Sequence, residues 1–221
     1  MLTSDDLLKE NNVSDFSEIS LELYKKFFID VLCERIFLYS LKDGSNLKLT
    51  FIPNNFLHIL GGQHILGLNY KASKFNDQID KGTMTFQELE KKNSKVFNDF
   101  TDRFLNFSNI YHVITNCTIV YFSKDTYEKN KKSKKESSMD FSHILYKDLN
   151  NKKIHLGIDT FNGKSFFGKS LLVKSINNDV ITKDQTHIEI KKIEVKDNKT
   201  NKIIEVKNYD AVGQAALVKD N

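Results

Sequence analysis

Four residues of this chain carry side chains that could do chemistry: His58, Arg103, Lys169 and Ser170. A histidine can accept or donate a proton near neutral pH, and the cationic and hydroxyl groups of the other three can bind phosphate oxygens. The set could therefore transfer protons and hold a phosphate without a metal ion. Each residue also fits an ordinary structural position: a helix-surface histidine, a surface ion pair of Arg103 with Asp102, and the solvent face of a strand.

Three further histidines and the two cysteines are interpreted as structural. His64 lies two residues beyond a glycine pair, whereas His143 and His155 lie on neighbouring predicted strands, which folding could bring together. Cys33 and Cys117 are far apart in the chain, sit among apolar residues and have no metal-ligand neighbour at short spacing. We therefore expect two buried free thiols and no disulfide framework.

The motifs of several common enzyme classes are absent from the sequence. It contains no Walker-type phosphate loop and no GxGxxG, HExxH, CxxC or GxSxG pattern. Their absence argues against kinases, dehydrogenases, zinc enzymes and serine hydrolases, and the sequence predicts no cofactor and no metal site. Carboxylates for a two-metal nuclease are not visible either, although such a site can assemble from distant residues.

The segment PNNFLHILGG, residues 53–62, has the features of a short helix stopped at both ends. Its proline ends the preceding strand, LKLTFI, because proline cannot donate a ladder hydrogen bond. Its asparagines can cap a helix start, and its glycines can close the helix in the left-handed conformation. His58 lies about 200° around the helix from Phe56 on the buried stripe, so we expect it to face solvent or a cleft.

The spacing of apolar residues predicts helices in the first half of the chain. A stripe over residues 16–33 predicts one helix, whose start Ser14 or Asp15 can cap. Phenylalanines repeated at three- and four-residue spacing over residues 95–110 predict the strongest helix. Residues 71–83 show no such stripe and are predicted to form a loop.

Alternating apolar residues predict strands elsewhere. Two short strands flank the turn signal at Asp43, and further strands follow from residue 117 to near residue 208. Residues 124–138 are predicted to be a polar, lysine-rich loop. Gly168 could mark a bulge that lets the lysine and serine after it approach one phosphate, and a slip of the apolar phase predicts another bulge near Lys191 and Lys192.

The element order predicts an α+β fold, with N-terminal helices packed on a multi-stranded, mostly antiparallel sheet. No apolar run approaches a membrane span, and the acidic N-terminus is unlike a signal peptide, so we expect a cytoplasmic protein without membrane contact. Net charge is +4; residues 1–30 carry seven acids and three lysines, which leaves +8 for residues 31–221. A basic body suggests a polyanionic partner such as nucleic acid.

Five segments together resemble a known group of proteins in order and spacing over residues 34–195. They are LKLTFIPNNFLHILGG, FTDRFLNF, MDFSHILYKD, KKIHLGID and SFFGKSLLV. The group is the phage-associated branch of the barnase–EndoU–colicin–RelE nuclease superfamily, whose pattern is a strand followed by an F-x-H-L-x-G helix, an Arg-bearing helix and a late Lys/Arg-Ser strand. The resemblance implies a nuclease-type domain over residues 34–208, preceded by a helical segment, 1–33, and followed by a tail, 209–221.

The resemblance further implies a metal-independent endoribonuclease that acts as a toxin, a defence protein or a phage-borne effector. His58 would transfer a proton, while Arg103, Lys169 and Ser170 would serve the phosphate. The implied partners are RNA, such as tRNA or mRNA, and an antitoxin or immunity protein.

Three departures from the pattern leave alternatives open. Ile59 stands in place of a leucine, Gly62-Gln63 loosens the segment after the helix, and Ser142 stands where the branch tends to have an aspartate. The Ser142 departure favours a catalytically inactive RNA-binding or protein-binding module on the same scaffold. A third possibility is a protein that acts by binding another protein through its acidic N-terminal helix.

Overall fold

The computed structural model describes residues 1–10, 12–131, 139–160, 162–209 and 215–216. The helices, in chain order, are α1 (Leu21–Phe27), α2 (Phe56–Leu60), α3 (Gln63–Leu66), α4 (Ala72–Asp80), α5 (Phe86–Lys92), α6 (Ser94–Asn106), α7 (Ile110–Thr115) and α8 (Lys124–Asn130). The strands are β1 (Arg35–Leu41), β2 (Asn46–Thr50), β3 (Thr118–Tyr121), β4 (His143–Leu149), β5 (Lys152–Thr160), β6 (Ser165–Ser175), β7 (Thr186–Ile188), β8 (Ile190–Asp197), β9 (Ile203–Tyr209) and β10 (Ala215–Ala216). Within the described ranges, no helix combines the length and apolar character needed to cross a membrane.

The strands form one sheet in the order β10-β9-β8-β1-β2-β6-β5-β4-β3-β7. Every neighbouring pair is antiparallel except β2 and β6, which run parallel over Lys48–Thr50 and Ser165–Phe167. Together with the helices that precede β3, this sheet confirms the predicted α+β class. Pairing of β6 with β2 stops at Phe167, and the chain beyond β2 turns away at Pro53, so α2 and α6 lie beside the rest of β6.

Both predicted bulges are present in the sheet. In β6, Gly168 lies opposite Ile158 and Ser170 lies opposite Gly157, so Lys169 is the extra residue. In β8, Ile190 and Lys192 lie opposite consecutive residues of β1, so Lys191 is the extra residue. A bulge breaks the strict alternation of side chains, and the one in β6 does so at the two polar residues that the sequence singled out.

The N-terminal helix begins later than the sequence predicted. Helix α1 starts at Leu21, where the Ser20 hydroxyl accepts the Leu23 backbone N–H at 3.0 Å. The side chains of Asp15 and Glu18 instead accept backbone N–H groups within residues 14–17. These local hydrogen bonds satisfy the backbone in a turn and compete with helix formation, which is why the predicted caps do not start a helix.

Residues 71–83 contain a helix, so the predicted loop is wrong. Phe75 and Ile79 lie one turn apart in α4 and are buried. The Phe75 ring packs against Phe56 of α2, with 6.0 Å between centroids, and Asp80 pairs with the buried Lys25 of α1. Two apolar residues are too few for a recognisable stripe, and the tertiary contacts supply what the local pattern lacks.

The predicted loop over residues 124–138 is also wrong in its first half. Ser123 caps α8 by accepting the Thr126 N–H at 3.3 Å, and Tyr127 of this helix is buried. Residues 132–138 of the predicted loop lie outside the described residues. The helix predicted over residues 95–110 is present as α6, which is followed by a 3-10 turn and α7.

Apolar side chains pack on both faces of the sheet. The main cluster joins one face to helices α1–α7, and a smaller cluster covers the other face beside α8. Both cysteines are free, and burial raises the pKa of each thiol to about 12. Cys117 is buried as expected, whereas Cys33 is only partly covered.

Candidate functional site

A cleft of about 960 Å³ lies along β6 where this strand faces α2, α3 and α6. Its lining includes His58 from α2, Arg103 from α6, and Lys169 and Ser170 from the β6 bulge. The structure therefore brings all four residues singled out in the sequence to one cavity. Their chemical roles stay a prediction.

The histidine-bearing segment is fixed to β6 at its start and to α6 at its end. The Asn55 side chain does not cap α2; its amide instead donates to the Gly168 carbonyl at 3.0 Å, beside the bulge. The apolar residues of α2 are buried, whereas His58 is exposed, as predicted from the helical angle. This anchoring holds the imidazole at the cleft wall.

Gly61 allows α2 to end against α6. Its φ of +83° is in the left-handed region, which favours glycine. A Cβ at this position would lie 2.4 Å from Nη1 of Arg103 and 2.6 Å from the Phe100 ring. The glycine is thus required both by its own backbone conformation and by the close approach of the Arg103 guanidinium.

Arg103 is a buried cation without an acidic partner in the described part of the chain. The residue is 9% exposed, its guanidinium carbon lies 4.4 Å from the Phe100 ring centroid, and Nη1 has no hydrogen-bond partner there. Asp102, its neighbour in sequence, pairs with Lys152 at 2.7 Å instead. The surface ion pair considered from the sequence is therefore not formed. Burial lowers the pKa of Arg103 to about 9, which leaves it charged at neutral pH.

Lys169 already has partners in the cleft. Its Nζ donates to Asp159 Oδ2 and to the Asp140 carbonyl, both at 2.8 Å, and lies 5.8 Å from the Phe141 ring centroid. Burial acts to raise the pKa of Asp159, but the Lys169 hydrogen bond and the Thr160 N–H outweigh it, and the pKa is lowered. A phosphate that reached Lys169 would compete with this carboxylate.

His64 of α3 lines the same cleft, although its sequence position suggested only a structural role. Its ring faces Phe100 at 5.1 Å between centroids, with an angle of 32° between the ring planes. Burial, followed by the nearby charges of Arg103 and His58, lowers the pKa of His64. The signal in the sequence was the Gly61-Gly62 pair, which can reverse the chain between two histidines.

The cleft lining is mixed in charge. It includes three lysine or arginine side chains and three carboxylates, the latter being Asp99, Asp102 and Asp140. Ser142 is not part of the lining; its hydroxyl donates to the Ile158 carbonyl of β5 at 3.0 Å. The carboxylate nearest to this position in sequence is Asp140, which does face the cleft.

The other pair of histidines is not brought together. His143 lies opposite Ile158, whereas His155 lies opposite Tyr146. The buried His155 contacts Asp179, with 3.1 Å between Nε2 and Oδ1. Neither histidine lines the cleft. In the described ranges, no group of three or more His, Cys, Asp or Glu residues is placed to hold a metal ion.

Comparison with known proteins identifies the family. Residues 20–210 match the model of a family described as phage-Barnase-EndoU-ColicinE5/D-RelE like nuclease4. No curated protein and no solved structure matches the chain. The family match covers most of the chain, including the cleft and all of its candidate residues, and it confirms the resemblance found in the sequence. The chain therefore belongs to this phage-associated nuclease family.

Proposed function

We propose that this protein is a metal-independent endoribonuclease that cleaves RNA by attack of a ribose 2′-hydroxyl on the neighbouring phosphate. The observation that carries the proposal is the buried Arg103 guanidinium, which has no acidic partner among the described residues, in the same cleft as the exposed His58. We propose that the protein acts in the cytoplasm as a toxin, a defence protein or a phage-borne effector.

Arg103 supports a phosphate ligand on electrostatic grounds. Burying a charge costs several kcal/mol unless a counter-charge or hydrogen bonds compensate, and stacking on Phe100 offsets only part of that cost. A phosphate in the cleft would supply the missing negative charge. Because Nη1 itself is enclosed by Gly61, the phosphate would be attracted by the cleft-facing part of the guanidinium.

The remaining candidates supply what the reaction needs. A histidine such as His58 can act as the base that takes the proton of the 2′-hydroxyl, or as the acid that protonates the leaving 5′ oxygen. The Lys169 ammonium and the Ser170 hydroxyl can donate to phosphate oxygens as negative charge develops on them. The nucleophile belongs to the substrate and is tethered beside the phosphate, so proximity favours RNA over DNA.

We assign these roles to a nuclease domain over residues 34–208, with residues 1–33 as a helical segment and 209–221 as a tail. All four proposed site residues come from this domain. An antitoxin or immunity protein that inhibits the enzyme would have to deny RNA access to the cleft along β6.

One observation favours a second candidate function. Lys169 is engaged by Asp159 and by the Asp140 carbonyl, so it is not free for a phosphate in this arrangement. This contact favours a catalytically inactive module that binds RNA or protein on the same scaffold. The two candidates differ in whether the purified chain cleaves RNA.

Incubation of the purified protein with total RNA and with tRNA, followed by mapping of the ends, tests the proposal. We expect 2′,3′-cyclic phosphate or 3′-phosphate ends and 5′-hydroxyl ends, with cleavage that persists in excess EDTA. A single 2′-deoxy nucleotide at the scissile position should block the cut. Cleavage of DNA as readily as RNA, or loss of activity in EDTA, would contradict the mechanism. Salt-sensitive RNA binding without cleavage would favour the second candidate.

A further inference from the structure

Two histidines reach the cleft from one short reversal of the chain. Helix α2 ends at the left-handed Gly61, and α3 begins two residues later. The reversal is held by hydrogen bonds from the Gly62 N–H to the Leu57 carbonyl at 2.9 Å and from the His64 N–H to the Gly61 carbonyl at 3.1 Å. His58 and His64 both line the cavity and are both exposed.

The His64 ring has a defined place at the cleft wall. It faces Phe100 at 5.1 Å, and the Arg103 guanidinium lies 4.4 Å from the same Phe100 ring. The aromatic ring thereby connects the second histidine to the cation proposed to attract phosphate. An exposed imidazole beside a phosphate-binding cation is a position from which a proton can be exchanged with substrate.

We infer that His64 is a second catalytic residue of the proposed RNA cleavage, as the base that removes the 2′-hydroxyl proton, while His58 acts as the acid. The inference rests on the proposed function and names the group that completes its proton transfers. In the first step the proton of the 2′-hydroxyl passes to His64, and O2′ forms a bond to phosphorus. The bond from phosphorus to O5′ breaks, and O5′ takes the proton of His58. The products are a 2′,3′-cyclic phosphate and a 5′-hydroxyl, with no other reactant consumed.

The surroundings of His64 fit a base better than an acid. Burial lowers its pKa, and the nearby charges of Arg103 and His58 lower it further. Asp99 and Asp102, from the same helix as Arg103, also line the cleft, and their negative charges would act to raise this pKa. The lowering by burial and by the nearby cations prevails, so the net shift is downward. A base must be neutral before it accepts a proton, and the described environment favours the neutral imidazole at pH 7.

Single-turnover cleavage by three variants tests the inference. The substrate is an RNA oligonucleotide that contains a site mapped in total RNA, in two forms: one with oxygen and one with sulfur at the 5′-bridging position of the scissile phosphate. A thiolate leaves without being protonated, so the sulfur form needs no acid. The variants are His64→Asn, His58→Asn and, as a matched control, His187→Asn, an exposed histidine outside the cleft.

We expect His64→Asn to cleave both substrates about 100-fold or more slowly than His187→Asn and to lose the fall in rate on the acid side of the pH profile. His58→Asn should be similarly slow on the oxygen form and recover on the sulfur form. Thermal denaturation of each variant should show an unchanged fold, which separates a chemical from a structural effect.

Two results would overturn the inference while leaving the proposed function standing. One is cleavage by His64→Asn within about threefold of the control; the other is rescue of His64→Asn, rather than His58→Asn, by the sulfur substrate. Failure of the unaltered chain to cleave any RNA would instead overturn the proposed function, and this inference with it.

Discussion

Two groups of polar side chains differ in how their charges are paired: a buried grouping around Asp179 and the residues that line the cleft. In the buried grouping, Asp179 accepts hydrogen bonds from the Ile181 N–H at 2.9 Å, from His155 Nε2 at 3.1 Å and from Thr182, and pairs with Lys153 at 3.2 Å. In the cleft, the Arg103 guanidinium is buried to a similar degree but has no acidic partner among the described residues. His58 and His64 there are exposed.

The difference shows how the same chemistry can serve stability or function. A buried charge whose hydrogen bonds are all made within the protein contributes to one fixed arrangement, and removing one partner leaves the others uncompensated. A buried charge left without a counter-charge beside an open cavity is a cost to the folded state that a ligand can offset. We therefore expect mutations in the buried grouping to lower stability and mutations in the cleft to lower activity.

The largest expected effect is on cleavage by His58→Ala. We expect the rate to fall by about 100-fold to 10,000-fold, because a positioned proton-transfer group is lost. The free energy of unfolding should change by less than about 0.5 kcal/mol, since the side chain is exposed on α2. RNA cleavage and thermal denaturation measure the two quantities. A large loss of stability would show instead that His58 has a structural role.

Asp179→Ala should lower the free energy of unfolding by about 3–5 kcal/mol, because His155 and Lys153 would lose their buried counter-charge. Cleavage per folded molecule should be unchanged. Urea denaturation at pH 7 measures the effect, with Asp77→Ala as the control, since its ion pair with Lys81 is exposed and should be worth less than about 0.5 kcal/mol. Equal losses of stability in Asp179→Ala and Asp77→Ala would show that the buried grouping stabilises the fold no more than an exposed ion pair does.

Arg103→Met should reduce cleavage by about 100- to 1,000-fold, the range seen when one preorganised donor to a developing anion is removed. Stability should stay equal or rise, because a buried charge with no acidic partner among the described residues is replaced by an apolar chain of similar length. Arg103→Lys is the matched variant that keeps the charge without the planar fork. A clear loss of stability in Arg103→Met, with cleavage intact, would show that Arg103 has a purely structural role.

Low pH should reduce the stability that the buried grouping contributes to the fold. Burial acts to raise the pKa of Asp179, but the hydrogen bond and charge of His155 and the hydrogen bond of Thr182 outweigh it and lower that pKa below its usual range. A carboxyl group with a lowered pKa in the folded state stabilises the protein above its unfolded pKa of about 3.9, and this contribution is lost as pH falls through the folded pKa.

Unfolding curves of the unaltered chain and of Asp179→Asn between pH 7 and pH 2 test this direction. The gap in stability between the two proteins should be widest near neutral pH and should narrow below about pH 4. A constant gap over the whole range would mean that the Asp179 charge does not stabilise the fold.

The smallest expected effect concerns Asp159→Asn in the cleft. Removing this charge should release Lys169 toward the phosphate and raise cleavage by up to about threefold, since an ion pair between partly exposed groups contributes less than about 1 kcal/mol. Rates at subsaturating RNA concentration measure the change. A fall of tenfold or more would show that Asp159 holds Lys169 in its working position.

Features that depend on neighbouring residues in the chain were predictable from the sequence. The hairpin at Asp43, the bulges at Lys169 and Lys191, and the exposed position of His58 all follow from backbone chemistry and side-chain period over a few residues. The family resemblance added the grouping of distant segments into one cleft, which periodicity could not provide. The structure places His58, Arg103, Lys169 and Ser170 on that cleft.

Features that depend on long-range contacts were decided by the tertiary structure alone. Helix α4 forms because its two apolar residues meet the core, and α1 begins late because side chains before it satisfy the backbone in a turn. The alternative interpretation of Arg103 as the surface partner of Asp102 was excluded only by the fold, in which Arg103 packs against Gly61 and Asp102 pairs with Lys152. The sequence did not assign His64, Asp140 and Asp159 to the site, because only the fold brings them to the cleft or to Lys169. Local sequence sets the conformational preference of the backbone. The partner of a charged side chain, in contrast, usually comes from a segment far away in the chain. Whether such a partner is present determines whether the charge stabilises the fold or is left to bind a ligand.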